Sequence, residues 1–496
     1  MNRREFIRAT LASGLVTGLG CESVPDLGTL LPSRESPEGE GSLGTLLARF
    51  AHITDTHIVD DESPARFPAA QIVTRSAWRP YEAYSNHILD GILRTVNRIH
   101  ASGRNVNFLI HTGDGTDNAQ SNELESLLSL FDGRLIDPLS GPDDRPVDSR
   151  PPATMDPYAA FQSAGLYRNG AHGGLPSIPW YALMGNHDSF ATGLFPFFDG
   201  PFGRRTAPLP LQPRPGIVLP TEFDPAGFLA HGNVTPNEPG PPAVFQTARF
   251  LEPNPARRFY SKADFVRALF QTLTTPAGHG MTSDDGPSWF SVSPAPGVRL
   301  IGLDSSDPGH RIPAMIYVSA AVSAAQAEFL RSELAAAQAR DEVIIVATHH
   351  PSASLEAGLG SALTPETFRS LLGEHSNVVL HICGHKHRNR VTDRGSYLEI
   401  ETCSTIDLPQ EGRLIEIRRD ETSGEVSIAY EMFSHLNDEL PALGDDPVVG
   451  LRQEARSIAM NDAGALIRQR IFDESGKDPR GRDEDRRGRS RETSIA

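Results

Sequence analysis

Five short apolar runs recur along the chain, and each ends in polar residues able to bind a metal. Phe50-Ala51-His52-Ile53 leads into Thr54-Asp55-Thr56-His57, and Val106-Asn107-Phe108-Leu109-Ile110 leads into Gly113-Asp114. Trp180-Tyr181-Ala182-Leu183 leads into Gly185-Asn186-His187-Asp188. Further on, Val343-Ile344-Ile345-Val346 precedes His349-His350-Pro351, and Val378-Val379-Leu380-His381-Ile382 precedes Gly384-His385-Lys386-His387. Runs this short predict strands, and polar residues at their carboxyl ends fall where α/β sheets bind ligands. Between them, Ala83 to Ile99 carries Ile88, Ile92, Leu93, Val96 and Ile99 at helical spacing. Val322 to Ala337 is alanine-rich, with Phe329, Leu330 and Leu334 on one side. Both predict helices that cover a sheet face. Trp289 to Val292, Val298 to Leu303, Tyr397 to Ile400, Leu414 to Ile417 and Val426 to Tyr430 predict further strands and a second sheet. The fold class that follows is α/β, a two-sheet β-sandwich flanked by helices.

The pattern also divides the chain. Ordered structure is expected over residues 49–440, with two stretches crowded by Pro and Gly, 133–179 and 190–285, set into it as insertions over the rim of the site. A helical pattern covers 441–473, and 474–496 reads as a solvated, disordered tail of mixed charge. At the other end, Asn2-Arg3-Arg4-Glu5-Phe6-Ile7-Arg8 followed by small and apolar residues resembles a twin-arginine export signal over residues 1–21. Cys21 follows Gly18-Leu19-Gly20, a loose lipoprotein cleavage box, so both lipid anchoring at Cys21 and cleavage without lipid are compatible with it. Residues 22–48, rich in Ser, Pro, Gly and Glu, read as a flexible linker. An exported, periplasmic or otherwise extracytoplasmic protein is the expectation.

Composition narrows the partners. The chain has 46 basic and 63 acidic residues, a formal net charge of −17. That balance disfavours a long polyanion, because each phosphate neutralised needs a Lys or Arg. A nucleic acid is not expected as partner, whereas a small phosphorylated substrate is compatible if cations reverse the local field at the site. Besides Cys21 there are only Cys383 and Cys403, in apolar runs that read as successive strands. A disulfide between them and burial as two small apolar residues both fit that placement.

Taken singly, Asp-x-His, Gly-Asp and Gly-His-x-His say little. In series they say more: Asp55-x-His57, Gly113-Asp114, Gly185-Asn186-His187-Asp188, His349-x-Pro351 and Gly384-His385-x-His387 each close a strand-type run. Separate elements that all deliver imidazole and carboxylate groups suit borderline metals such as Zn, Mn, Fe or Ni. Over roughly residues 50–405 this series resembles the calcineurin-like metallophosphoesterase family.

The resemblance implies a four-layer α/β/β/α architecture and two metal ions, Mn, Fe or Zn. Asp55, His57 and His387 would hold one ion, and Asn186, His349 and His385 the other, with Asp114 bridging. It also implies hydrolysis of a phosphate mono- or diester by a metal-bridging hydroxide, with His187 contacting the phosphate and protonating the leaving oxygen. Asp117 matches the acidic residue that orients this histidine in relatives and keeps it cationic; a turn or cap residue before a helix near Ala119 is the plainer reading. Asp188 is a candidate support for the same site. His350 reads as a rim or packing residue, and His111 and His381, inside strands, as core histidines. Arg66 and Asn118 are candidate phosphate or rim contacts, and Asp304 resembles a strand-end aspartate that serves structure.

Two departures matter. Purple acid phosphatases carry a tyrosine ligand where this chain has Asp117, so an iron–tyrosinate centre is not expected. Asp114 and Asn186 stand 72 positions apart, a longer spacing than a minimal member of the family needs. The alternatives kept beside hydrolysis are a metal- or phosphate-binding protein without turnover and a nuclease on the same fold.

Overall fold

The computed structural model describes residues 44–60, 63, 79, 81–138, 157–166, 178–190, 193, 255–306, 320–356, 361–436, 447–461 and 493–495. In chain order the strands are β1 (Thr45–Ile53), β2 (Phe108–His111), β3 (Leu135–Ile136), β4 (Phe161–Gln162) and β5 (Trp180–Ala182). They are followed by β6 (Phe290–Ala295), β7 (Val298–Gly302), β8 (Val343–Ala347), β9 (Val378–Cys383) and β10 (Arg390–Asp393). Last come β11 (Leu398–Glu401), β12 (Glu411–Arg419), β13 (Val426–Ser434) and β14 (Thr493–Ile495). One six-stranded sheet runs β14-β13-β12-β1-β2-β5 and the other β10-β11-β9-β8-β7-β6. Both are mixed: β1, β2 and β5 pair in parallel, as do β7, β8, β9 and β11, while antiparallel strands extend the edges.

Side-chain alternation explains the layers. In β8 every residue is buried, the mark of a strand covered on both faces. Val343, Ile345 and Ala347 join one apolar cluster with Phe50, Phe108 and Ile415 of the first sheet. Ile344 and Val346 face the opposite way, packing in a second cluster with Leu330 and Leu334 of the helix Ala324–Ala339 and with Phe368 and Leu372 of the helix Pro365–Gly373. The first sheet is covered by Leu89, Ile92, Leu93 and Val96 of Ser85–Ala101 and by Leu127 and Leu130 of Ser121–Asp132. Two mixed sheets flanked by helices are the fold class read from the sequence.

Several boundaries are corrected. β1 begins at Thr45, so the last residues assigned to the 22–48 linker are strand, paired with β12 as Thr45↔Arg419 and Leu46↔Arg418. The described parts of the two insertions are regular: β3 and β4 pair inside 133–179, and the helix Lys262–Leu269 lies inside 190–285. This helix carries a Ser261/Asp264 capping box, a signal overlooked in a Pro- and Gly-rich context. The helix Pro447–Asn461 falls within the predicted 441–473 segment. Of the tail 474–496, Thr493–Ile495 pairs with β13 at the sheet edge, which corrects its reading as wholly disordered. The export signal, Cys21 and the linker up to residue 43 lie outside the described residues. Cys383 and Cys403 are both buried and are not joined in a disulfide. Among the described residues no helix is long and apolar enough to cross a membrane.

Candidate metal centre

Parallel strands bring the motifs to one edge. β1 delivers Asp55 and His57, β2 delivers Asp114, and β5 leads into the short helix Asn186–Ser189 with Asn186, His187 and Asp188. From the other sheet, β8 delivers His349 and β9 delivers His385 and His387. The loops beyond β1 and β2 stay registered through Asp55 N–H to the Gly113 carbonyl (2.9 Å) and His57 N–H to the Asp114 carbonyl (3.0 Å). Asp55, His57, Asp114, His385 and His387 all have positive φ, between 43° and 67°. Such backbone is uncommon outside glycine, and its concentration at one site marks function. Close approach explains the glycine of the third motif: a Cβ on Gly185 would lie 2.1 Å from Asp114 Oδ1.

All seven proposed ligands converge, and the atoms they turn toward one another are ring nitrogens and side-chain oxygens of the kind that bind metals. His57 Nδ1 donates to the Asp117 carboxylate (2.8 Å) and His387 Nδ1 to the Asp407 carboxylate. With Nδ1 so engaged, each ring turns Nε2 inward, and the two Nε2 atoms face each other at 3.3 Å. Asp55 Oδ1, buried and accepting no hydrogen bond, lies 3.1 Å from His387 Nε2 and 3.8 Å from His57 Nε2. On the other side His349 Nδ1 donates to the Thr112 carbonyl (2.9 Å), which points its Nε2 lone pair at Asp114 Oδ2 and Asn186 Oδ1, each 3.1 Å away. Asn186 Nδ2 donates to the Gly193 carbonyl (3.0 Å), leaving Oδ1 facing His349 and, at 3.1 Å, His385 Nδ1. Lone pairs packed this closely repel unless a cation lies among them, so the donor set fits metal ions.

The electrostatics agree. Burial would raise the Asp55 and Asp114 carboxyls, but the surrounding histidines hold both below the ordinary range. Burial would lower His349 and His387, but the carboxylates beside them push each up to about 9. The pocket favours positive charge where the ligand atoms meet.

The supporting residues differ from expectation. Asp117 reaches His187 through its backbone carbonyl, which accepts from Nδ1 at 2.6 Å, while its carboxylate is 3.8 Å from that nitrogen and holds His57 instead. Burial outweighs the neighbouring carboxylates and lowers His187 to about 4. Asp188 braces the loop after Asp114, accepting from the N–H groups of Gly115, Thr116 and Gly185. His350 is a buried residue and not a rim one, the packing alternative of the two expected, with Nδ1 on Ser305 Oγ (2.8 Å) and a ring nitrogen within 4.8 Å of those of His349 and His385. Asn118 turns its amide to Glu123 and not to the site. His111 and His381 are buried strand residues hydrogen-bonded to Thr56 and Thr348. Asp304 ties Ser288 and Lys262 to the end of β7, a structural role. Arg66 lies outside the described residues.

Sequence reading missed Gly193, Arg79 and Asp407. Gly193 has φ +68°, and a Cβ there would lie 2.3 Å from His187 Nε2 and 2.7 Å from Asn186 Nδ2. Gly193→Ala must displace both, and misplacement of about 1 Å costs about 10²-fold in rate. An unchanged kcat in this variant would refute the placement of Gly193 against the site.

No curated protein matches the chain in sequence. Among solved structures, a dimetal phosphatase from Danio rerio aligns at 12% identity and TM-score 0.40, over 79% of this chain and 98% of its own. A 5′-nucleotidase from Staphylococcus aureus, solved with α-ketoglutarate, aligns at 15% identity and TM-score 0.34, over 82% of this chain and 58% of its own. The calcineurin-like phosphoesterase family model matches residues 48–389, the stretch that contains all five motifs. The chain belongs to the calcineurin-like phosphoesterase family and is a metal-dependent phosphoesterase.

Proposed function

We propose that Asp55, His57 and His387 hold one divalent cation, that Asn186, His349 and His385 hold a second, that Asp114 bridges them, and that the centre hydrolyses a small phosphate mono- or diester. The observation that carries this reading is the convergence of metal-binding side-chain atoms, with His57 Nε2 and His387 Nε2 3.3 Å apart and His349 Nε2 3.1 Å from both Asp114 Oδ2 and Asn186 Oδ1. When bound, two such cations supply Lewis acidity that polarises a phosphoryl oxygen and acidifies water.

The protein's own residues supply the rest. The Asp114 carboxylate is fixed by the His187 backbone N–H, which donates to Oδ1 at 2.7 Å and leaves Oδ2 toward His349. His187, anchored through Nδ1 on the Asp117 carbonyl, has Nε2 available for proton transfer. Its low proton affinity means that Nε2 takes up the proton it delivers only with the negative charge of a bound phosphate beside it. The net charge of −17 supports a small ester as substrate over a polyanion.

Purified protein supplied with Mn or Zn is expected to hydrolyse p-nitrophenyl phosphate, bis-p-nitrophenyl phosphate or both. A chelator should abolish turnover and metal should restore it. Failure to cleave either ester with both ions bound counts against this function, and cleavage of DNA or RNA faster than these esters counts against the small substrate.

A further inference from the structure

Behind the proposed metal ligands lies a buried charge network that no motif of the sequence announces. Arg79, 2% exposed at its side chain, donates from Nη1 to Asp117 Oδ1 (3.0 Å) and from Nε to Asp407 Oδ1 (3.1 Å). Asp117 accepts from His57 Nδ1 at 2.8 Å, and Asp407 accepts from His387 Nδ1 through Oδ2. One guanidinium thus joins two carboxylates, each of which holds the outward nitrogen of one histidine.

The backbone on both sides is pinned. Arg79 N–H donates to Glu82 Oε2 (2.9 Å), and its carbonyl accepts from Glu82 N–H (3.2 Å) at the entry to the helix Ser85–Ala101. Asp407 N–H donates to Ser404 Oγ (3.2 Å), whose hydroxyl donates to the Asp55 carbonyl (2.6 Å), and Tyr81 O–H donates to Asp407 Oδ1. In the second set of ligands, His349 Nδ1 and Asn186 Nδ2 donate instead to the backbone carbonyls of Thr112 and Gly193.

We infer that Arg79 is a positioning residue for the metal held by Asp55, His57 and His387, acting through Asp117 and Asp407 to lock both histidines with Nε2 toward that ion. The inference rests on the ligand assignment above and adds an asymmetry to it. A carboxylate behind an imidazole fixes its tautomer and raises its basicity as a ligand. The rigid fork of the guanidinium holds two carboxylates in fixed relation, which the point charge of a lysine cannot do. Arg79 also offsets part of the negative charge that Asp117 and Asp407 add to a pocket already holding Asp55 and Asp114. In contrast, the ion held by Asn186, His349 and His385 does not depend on this network.

Cobalt(II) titration of the whole protein, read by visible absorption and by metal content after dialysis, tests this. Arg79→Lys keeps the charge, so metal-free protein should melt within a few degrees of wild type. Of the two ions, one should weaken about 10–100-fold, the usual effect of losing an outer-shell partner, while the other stays within about twofold. Asp407→Asn should weaken the same ion, and it carries the test alone if the lysine variant does not fold. Wild-type affinities for both ions in the variant tested, or equal weakening of both, overturn the inference. Fewer than two cobalt ions on the wild-type protein overturn the ligand assignment itself.

Discussion

Asp114→Asn is expected to lower turnover by more than about 10²-fold, beyond the 10–100-fold typical of losing an outer-shell partner, and to leave the protein unable to hold two ions together. Asp114 Oδ2 lies 3.1 Å from His349 Nε2 and 3.8 Å from His57 Nε2, between the two groups of ligands. The amide keeps the shape but loses the charge, and if its NH₂ faces His349 it donates to the lone pair meant for a metal. Asp114 lies in the loop beyond β2, and Asn keeps its shape and tolerates its positive φ, so secondary structure should match wild type. Metal content and kcat measured on one preparation check it; wild-type kcat with two ions bound would show that Asp114 does not bridge.

His187→Ala should lower kcat by about 10²–10⁴-fold, the range for a positioned acid or base, with both ions retained. The side chain is not among the seven proposed ligands, and its Nδ1 is occupied by the Asp117 carbonyl at 2.6 Å. If Nε2 protonates the leaving oxygen, the loss is larger for an alkyl phosphate, whose alkoxide leaves poorly, than for p-nitrophenyl phosphate. Equal losses on the two substrates would assign His187 to charge stabilisation alone. Loss of an ion in this variant would make it a ligand.

Much of this site was legible because strand-end chemistry is local. An apolar run followed by Gly-Asp or Gly-His-x-His places its polar residues at the carboxyl end of a parallel strand, and the proposed ligands that the structure brings together follow β1, β2, β5, β8 and β9. The sandwich was legible for the same reason, since runs such as Val343 to Val346 are apolar at every position and so demand cover on both faces. What stands behind the ligands was not. Arg79 is 38 residues from Asp117 and 328 from Asp407, and no periodicity links positions that meet only through tertiary packing. Asp117 shows the limit of reading roles from a motif: its carboxylate and its carbonyl serve different histidines. Gly193 carried a weak signal, a glycine soon after Asn186 in a stretch rich in glycine and proline, and only the lack of room for a Cβ beside His187 Nε2 singles it out. The regular elements inside the insertions were not legible because Pro and Gly content masked the short strands β3 and β4 and a capped helix.

The most direct test of a centre built by these seven ligands is anomalous diffraction from crystals of the manganese-loaded protein, measured at the manganese edge. The account predicts two peaks about 3.5–4 Å apart. One should lie against Asp55, His57 and His387, the other against Asn186, His349 and His385, with the Asp114 carboxylate between them. A single peak, or an ion held by His350 in place of Asn186, would contradict it.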